Sequence, residues 1–213
     1  KLNPFSPSKS ARQKQATWAL WIKIVIACIP AAVLGLLFDD WMEAHLYNAY
    51  VVAATLIIYG VLFIVLENSS ITANPSITKV GHVSTKTALF IGLFQLLSLV
   101  PGTSRSGSTI LGAMVLGCSR GVAAEFSFFL GIPVMFGASF LKLVKFFVKG
   151  NVLTGPQIFY TILGMAIAFG VSVYSIQFLM GYVRRHDFKF FGYYRIILGV
   201  VVLAYFGITA LAA

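Results

Sequence analysis

Five long apolar stretches, separated by short polar or charged segments, dominate the hydropathy pattern of the chain. An α-helix needs about 20 residues to cross the hydrocarbon core of a bilayer, and each stretch reaches or approaches that length. The predicted spans are residues 18–38, 47–66, 123–144, 158–180 and the shorter 196–211. The pattern therefore predicts an all-α integral membrane protein with about five transmembrane helices.

A further apolar region is interrupted near its middle. Residues 88–100 are apolar, a polar turn follows at 101–109, and a second short run ends at 117. Neither half is long enough to span, and Pro101 cannot continue a helical hydrogen-bond ladder. Irregular backbone at membrane depth is tolerated where it faces protein or a water-filled cavity. We therefore predict a re-entrant broken-helix pair at 88–117, within a single polytopic domain that covers residues 1–213.

Composition and charge exclude an ordinary soluble globule. Of the 213 residues, 59% are hydrophobic and 10% are charged, and the formal net charge is +10. The basic residues lie between the apolar runs, which favours orientation and contact with membrane lipids over nucleic-acid binding.

The distribution of basic residues predicts that the chain starts inside and ends outside. The inner segments then hold eleven basic residues, and the outer segments hold three. The inner set is Lys1, Lys9, Arg12, Lys14, Lys79, Lys86, Arg120, Arg184, Arg185, Lys189 and Arg195, and the outer set is Lys142, Lys145 and Lys149.

The polar turn concentrates the candidate chemistry. Arg105 lies there among five hydroxyls, and an arginine at mid-membrane costs at least about 2.5 to 3.5 kcal/mol on insertion scales. Its guanidinium matches phosphate oxygens, and unpaired N–H groups are predicted at 106–109, where the second half-helix starts. These features predict an anion or substrate site. The alternative is a kink whose small residues pack helices and whose hydroxyls bond their own backbone. The hydroxyls belong to Thr103, Ser104, Ser106, Ser108 and Thr109.

Two other polar residues near the membrane are weaker candidates. Gln95 either binds substrate or donates a hydrogen bond to a neighbouring helix. Glu125 either pairs with Arg105 and lines the cavity, or is solvated at the interface. The cysteines, Cys28 and Cys118, have no spacing that indicates a disulfide framework or a zinc site.

The turn reads PGTSRSGST and is similar to the PGxSRSxxT signature of bacterial undecaprenyl-pyrophosphate phosphatases, the bacitracin-resistance family. The stretches AEFSFFLGIP at 124–133 and IPAAVLGLLF at 29–38 resemble the same family in the same order. The resemblance implies a phosphatase of the bacterial cytoplasmic membrane, built from inverted repeats. Its activity would convert a C55 isoprenyl pyrophosphate to the monophosphate, which recycles the carrier lipid for cell-wall synthesis.

The same resemblance implies roles for individual residues. Arg105 would hold the pyrophosphate and stabilise the transferring phosphoryl group, while Ser104 and Thr109 would donate hydrogen bonds. A divalent cation, Mg²⁺, is implied as cofactor, and no residue of the chain is a convincing ligand for it. The implied partners are the isoprenyl pyrophosphate lipid, membrane lipids and a second copy in a homo-oligomer. The substrate-binding candidates are Gly102, Thr103, Ser106, Gly107, Gln95 and Glu125.

One family feature has no counterpart in this sequence. The family carries a glutamate-rich (E/Q)xxxE segment followed by a histidine, and no such pattern occurs here. We therefore expect the chain to lack roughly the first quarter of the natural protein, and the catalytic carboxylates with it. A transporter or flippase for an anionic lipid or solute, using the same arginine-containing broken helix, is the alternative function.

Overall fold

The computed structural model describes residues 3–6, 10–183 and 186–212, apart from the side chains of Asp39, Val183, Leu211 and Ala212. These ranges contain helices α1 (Ala11–Leu46), α2 (Ala49–Asn68), α3 (Thr85–Leu96), α4 (Arg105–Val115), α5 (Arg120–Val148), α6 (Gly155–Val183) and α7 (Lys189–Ala212). Five of them, α1, α2, α5, α6 and α7, are long and apolar enough to span a membrane. The prediction of an all-α membrane protein is confirmed. Lys1, Lys9, Arg184 and Arg185, which entered the orientation count, lie outside the described residues.

The spanning helices run past the apolar stretches that predicted them. α1 begins at Ala11 because Ser10 and Gln13 form a capping box, in which Ser10 Oγ accepts from Gln13 N at 3.3 Å and Gln13 Oε1 accepts from Ser10 N at 3.0 Å. Its 36 residues correspond to about 54 Å of helix. The extra turns are polar and extend beyond the hydrocarbon, so hydropathy does not report them.

The interrupted region forms the expected pair of short helices. α3 and α4 contain 12 and 11 residues, and at about 1.5 Å per residue neither crosses a bilayer. Ile77 N donates to Gly117 O at 2.9 Å, and Ser119 N donates to Ile77 O at 2.9 Å. Because these bonds join the segment before α3 to the segment after α4, the pair enters and leaves at the same end of the bundle.

Glycines allow close contact between the spanning helices α2 and α7. A Cβ on Gly60 would lie 2.7 Å from Gly192 O, and a Cβ on Gly199 would lie 2.9 Å from Ala53 O. Small residues of this kind let two helices approach closely, which favours their association in lipid, where the hydrophobic effect does not drive it. The buried core lies among α1, α3, α4 and α5 and includes Ile24, Ile91, Met114, Phe126 and Leu130.

A buried carboxylate at the end of α2 joins three spanning helices. The Glu67 side chain is fully buried and accepts from Arg120, at the start of α5, with Nε 3.0 Å from both carboxylate oxygens. It also accepts from Phe188 N, just before α7, at 3.0 Å. The ends of α2, α5 and α7 are therefore fixed together at one point.

Candidate functional site

The turn between α3 and α4 is held against α2. Gly102 has φ +85°, and a Cβ there would lie 2.6 Å from Val52 O, so both the backbone conformation and the space require glycine. Thr55 Oγ1 donates to Pro101 O at 2.9 Å. The PGTSRSGST segment therefore has a defined position at the side of α2.

Ser104 caps α4 and sets where its free N–H groups lie. Ser104 Oγ accepts from Gly107 N at 3.1 Å and lies 3.2 Å from Ser106 Oγ. Ser108 N already donates to Ser104 O at 2.9 Å. Of the N–H groups at 106–109 that were predicted to be unpaired, those of Gly107 and Ser108 have acceptors, because the capped helix begins at Arg105. The first N–H groups of a helix lack an intrahelical acceptor, which places the free donors at Arg105 and Ser106.

The Arg105 guanidinium packs against α5 and has an unused donor. A Cβ added to Gly131 would lie 2.5 Å from Arg105 Nη2 and 3.1 Å from Arg105 Cζ. Arg105 Nη1 is buried and has no hydrogen-bond partner among the described residues. A buried, unpaired donor on a cation is costly, so this group is suited to an anion.

Thr109 lies behind the turn. It is fully buried, and its Oγ1 lies 3.0 Å from Arg105 O and 2.5 Å from Ser127 Oγ. Ser108 Oγ similarly donates to Arg105 O at 3.1 Å. For these two residues the structure agrees with the alternative in which hydroxyls bond the helix backbone, and it does not present Thr109 to a substrate.

A cleft of about 180 Å³ opens beside the first turn of α4. Its polar end combines Ser104, Ser106, Gly107 and Arg195, whereas Arg105 is not part of its lining. The remaining wall is mainly aromatic and apolar and is formed by Phe63, Ile110, Ala124, Phe128, Leu179, Phe188, Phe191 and Tyr194. A cationic end joined to an aromatic wall suits an amphiphile with an anionic head.

Arg195 is the cleft residue that the sequence did not identify. Its Nη2 donates to Gly102 O at 2.7 Å, and its guanidinium carbon lies 5.8 Å from the centre of the Tyr59 ring. Its Nε is buried without a partner among the described residues. The predicted last span began at 196 and left Arg195 in a loop, whereas α7 begins seven residues earlier, at Lys189. The available signal was an arginine directly before an apolar span.

Gln95 and Thr103 are buried close to the turn in sequence and remain unsatisfied. Gln95 is 1% exposed, and both of its amide atoms lack a partner among the described residues. The predicted hydrogen bond from Gln95 to a neighbouring helix is therefore not formed. Thr103 Oγ1 is likewise buried without a partner in the described part of the chain.

Glu125 lies at a different cleft, of about 370 Å³, together with Lys79 and Ser119. Ala124, its neighbour on α5, lines the first cleft. Successive residues of an α-helix point about 100° apart, so α5 directs the two side chains to different places. The structure does not bring Glu125 to the cleft beside Ser104.

The described residues contain no preformed cluster of metal-ligating side chains. Within the described ranges, no three His, Cys, Asp or Glu side chains lie together in a way that could hold a metal ion. Cys28 and Cys118 are both free thiols. Burial raises the pKa of the Cys118 thiol to about 11, so this group stays protonated at neutral pH.

Comparison with known proteins identifies the family. The family model described as bacitracin resistance protein BacA matches residues 2–201. The chain belongs to the BacA family. The turn, the two short helices around it and helices α1, α2 and α5 lie inside the matched region, which also includes Arg195 of α7.

Curated relatives of this BacA-family chain carry the name undecaprenyl-diphosphatase. The relative from Streptococcus thermophilus (strain CNRZ 1066) is 57% identical over 205 residues, which are 96% of this chain and 71% of the relative. The relative from Streptococcus mutans serotype c is 55% identical over 205 residues, which are 96% of this chain and 73% of the relative. The relative from Enterococcus faecalis is 53% identical over 205 residues, which are 96% of this chain and 74% of the relative.

Proposed function

We propose that this BacA-family protein is an undecaprenyl-diphosphatase. It hydrolyses the C55 isoprenyl pyrophosphate to the monophosphate and phosphate, and so recycles the carrier lipid used in cell-wall synthesis. Relatives that are 53% to 57% identical over most of the chain carry this name. The protein is a multi-pass membrane protein, in keeping with a lipid substrate.

The observation that carries the proposal at the level of residues is a pair of unpaired guanidinium donors at one turn. Arg105 Nη1 and Arg195 Nε are both buried without partners among the described residues, and Arg195 is bonded to the carbonyl of Gly102. Phosphoryl transfer depends mainly on positioning and on neutralising charge. Two arginines beside the positive end of α4 supply both positioning and charge neutralisation for a pyrophosphate.

In the proposed reaction, Arg105 holds the terminal phosphoryl group, and Arg195 holds the pyrophosphate from the side of the cleft. Water attacks the terminal phosphorus and gives its proton to a phosphate oxygen, the anhydride P–O bond breaks, and inorganic phosphate and the lipid monophosphate leave. Ser104 acts as a phosphate ligand, because its Oγ already caps Gly107 N and the cleft lining contains no Asp, Glu or His among the described residues that could act as its base.

The aromatic wall of the cleft provides a binding surface for the isoprenyl tail. Phe188 and Phe191 have ring centroids 6.0 Å apart, and Phe63 lies 5.7 Å from Phe188. Leu179 of α6 lines the same cleft. An apolar chain bound at the pyrophosphate end would contact these rings and leave between α6 and α7.

We also propose a requirement for Mg²⁺ and a location in the bacterial cytoplasmic membrane. Mg²⁺ is suited to pyrophosphate because it binds phosphate oxygens. The described residues provide no cluster of three His, Cys, Asp or Glu side chains to hold the ion. The excess of basic residues in the inner segments supports an orientation with the start of the chain inside and its end outside.

Phosphate release from C55 pyrophosphate in detergent, with Mg²⁺ present, tests the proposal. The wild-type chain should release phosphate, and Arg105→Ala should reduce the rate by about a hundredfold or more, since a charge-stabilising donor is removed. Arg105→Lys should be intermediate, because lysine keeps the charge and loses the planar fork. Arg12→Ala, on the exposed first turn of α1, is the matched control.

The possible results separate the function from its alternatives. Release by wild type with an equally active Arg105→Ala variant contradicts the role of Arg105. Binding of the lipid pyrophosphate without release by the wild type would contradict hydrolysis and leave only an anion-binding turn. A folded chain that neither binds nor releases overturns the proposal and favours a carrier, whose activity requires two compartments.

A further inference from the structure

We propose that Ser127 of α5 is a positioning residue for Arg105 and acts through Thr109. The inference rests on the proposed phosphatase function, because it concerns how the phosphate-binding turn is held for catalysis. Ser127 is 1% exposed and is not part of the lining of the cleft. It therefore affects the reaction without touching the substrate.

A chain of hydroxyl contacts runs from α5 to the first turn of α4. Ser127 Oγ lies 2.5 Å from Thr109 Oγ1 and 3.5 Å from Ser106 O. Thr109 Oγ1 lies 3.0 Å from Arg105 O and 3.1 Å from Ser106 O. Each hydroxyl has one proton, so Thr109 can donate to a carbonyl of this turn while Ser127 donates to Thr109.

These contacts fix the backbone whose free N–H groups and side chain face the phosphate. The carbonyls that Thr109 approaches belong to Arg105 and Ser106, the residues that carry the free N–H groups at the start of α4. Thr109 and Ser127 are both fully buried or nearly so, which protects their contact from competition by water. Buried polar contacts of this kind make one arrangement of the helices preferred over others.

The same face of α5 also receives the Arg105 side chain. Gly131 is four residues after Ser127 and therefore lies on the same side of the helix. The absence of a Cβ at Gly131 leaves the space occupied by the Arg105 guanidinium. One face of α5 thus holds the Arg105 backbone through Ser127 and accepts the Arg105 side chain at Gly131.

A positioning role and a purely structural role predict different kinetics. Displacement of a catalytic group by about 1 Å can cost about a hundredfold in rate, and the loss falls mainly on kcat because it weakens the transition state more than the bound substrate. A structural role would lower the melting temperature and leave kcat of the folded fraction unchanged.

The experiment compares Ser127→Ala, Thr109→Val and the double variant in detergent, with C55 pyrophosphate as substrate. We expect Ser127→Ala to lower kcat about tenfold with KM changed by less than about twofold. The double variant should be no slower than the slower single variant, because the two hydroxyls act in one chain. Thr109→Ser keeps the hydroxyl and should retain nearly full activity. Ser139→Ala, at an exposed position of α5, is the matched control.

A second readout does not require turnover. Orthovanadate resembles the five-coordinate transition state of phosphoryl transfer, so its Kd should rise about tenfold in Ser127→Ala, in parallel with kcat, while the Kd for inorganic pyrophosphate changes by less than about twofold. Melting curves of each variant show what fraction is folded. If Ser127→Ala prevents folding, Thr109→Val and Thr109→Ser carry the same comparison.

Failure of this inference can be distinguished from failure of the proposed function. Wild-type kcat and wild-type vanadate affinity in Ser127→Ala would overturn the positioning role while phosphate release by the wild type still stands. Losses that multiply in the double variant would also overturn it. If the wild-type chain releases no phosphate, the vanadate measurement still decides whether Ser127 positions the anion site.

Discussion

Two arginine side chains, Arg105 and Arg195, each bury a nitrogen that has no hydrogen-bond partner among the described residues. In a medium of low dielectric constant such a donor is expensive to leave unpaired. The two side chains come from distant parts of the sequence and approach the same turn, Arg195 through its 2.7 Å bond to Gly102 O. An anion that reached either nitrogen would relieve the cost at that residue.

We expect Arg195→Gln to lower kcat/KM by about tenfold or more. A hydrogen bond to a charged group contributes about 1.5 to 3 kcal/mol, and glutamine removes the charge while keeping some hydrogen-bonding capacity. Arg195→Lys should recover part of the loss, since it restores the charge without the fork. Initial rates of phosphate release measure the effect, with Lys189→Gln at the start of α7 as control. An Arg195→Gln variant as active as the Lys189→Gln control would exclude a substrate contact.

The sequence predicts some of these residues and not others for physical reasons. Arg105, Ser104 and Ser106 could be predicted because a charge and several hydroxyls stand out within an apolar region of the sequence. The direction of the Thr109 hydroxyl depends on how α5 packs against α4, which brings Ser127 to 2.5 Å. Arg195 reaches Gly102 across 93 positions of sequence, and no local pattern indicates that contact.

The broken-helix pair can be predicted from the short length of its two apolar runs and from Pro101. The residue at which its second helix, α4, begins depends on the N-cap. Hydropathy placed the second apolar run at 110, whereas α4 begins at Arg105. The difference of about one turn arises because Ser104 satisfies Gly107 N, so polar residues enter the helix. The same cause extends α1 back to its capping box at Ser10.

Glu67 provides a test of how the elements are held together. Glu67→Ala removes the acceptor for Arg120 and for Phe188 N and leaves a buried N–H unsatisfied. We expect a loss of about 1 to 3 kcal/mol in the free energy of unfolding, reduced toward the lower end because the Arg120 side chain is 38% exposed. Unfolding in detergent by heat or denaturant measures it.

The control for this test is Glu43→Ala, at an exposed position of α1. A surface substitution of this kind should change stability by less than about 0.5 kcal/mol. Glu67→Gln keeps the shape and an acceptor oxygen, so it should lie between the other two variants. If Glu67→Ala were as stable as Glu43→Ala, the carboxylate would not be what joins α2, α5 and α7.

For the whole molecule, membrane class and the number of spans could be predicted because length and mean hydropathy are properties of each segment alone. The described part of the chain contains five helices long and apolar enough to span, in agreement with the five apolar stretches. The packing of α7 on α2 could not be predicted, because it depends on which glycines face each other. The single domain, the homo-oligomer and the orientation stay predictions.

Labelling of single cysteines tests the orientation. In a background with Cys28→Ala and Cys118→Ala, Asn151→Cys and His82→Cys place a thiol in two exposed segments on opposite predicted sides. A membrane-impermeant maleimide added to intact cells should label position 151 and not position 82. Both should react after the membrane is disrupted, which controls for accessibility. Labelling of position 82 alone would show that the orientation is opposite to the predicted one.

The glycines between α2 and α7 have a consequence for mutation in the gene. Glycine is the one amino acid without a Cβ, so every missense change in its codons, at whichever nucleotide, adds at least that atom. At Gly60, Gly192 and Gly199 the added atom would meet the partner backbone, whereas at Gly164 and Gly170 of α6 it would meet nothing within 4 Å. Harmful alleles should therefore gather at the first three codons and be rare at the other two.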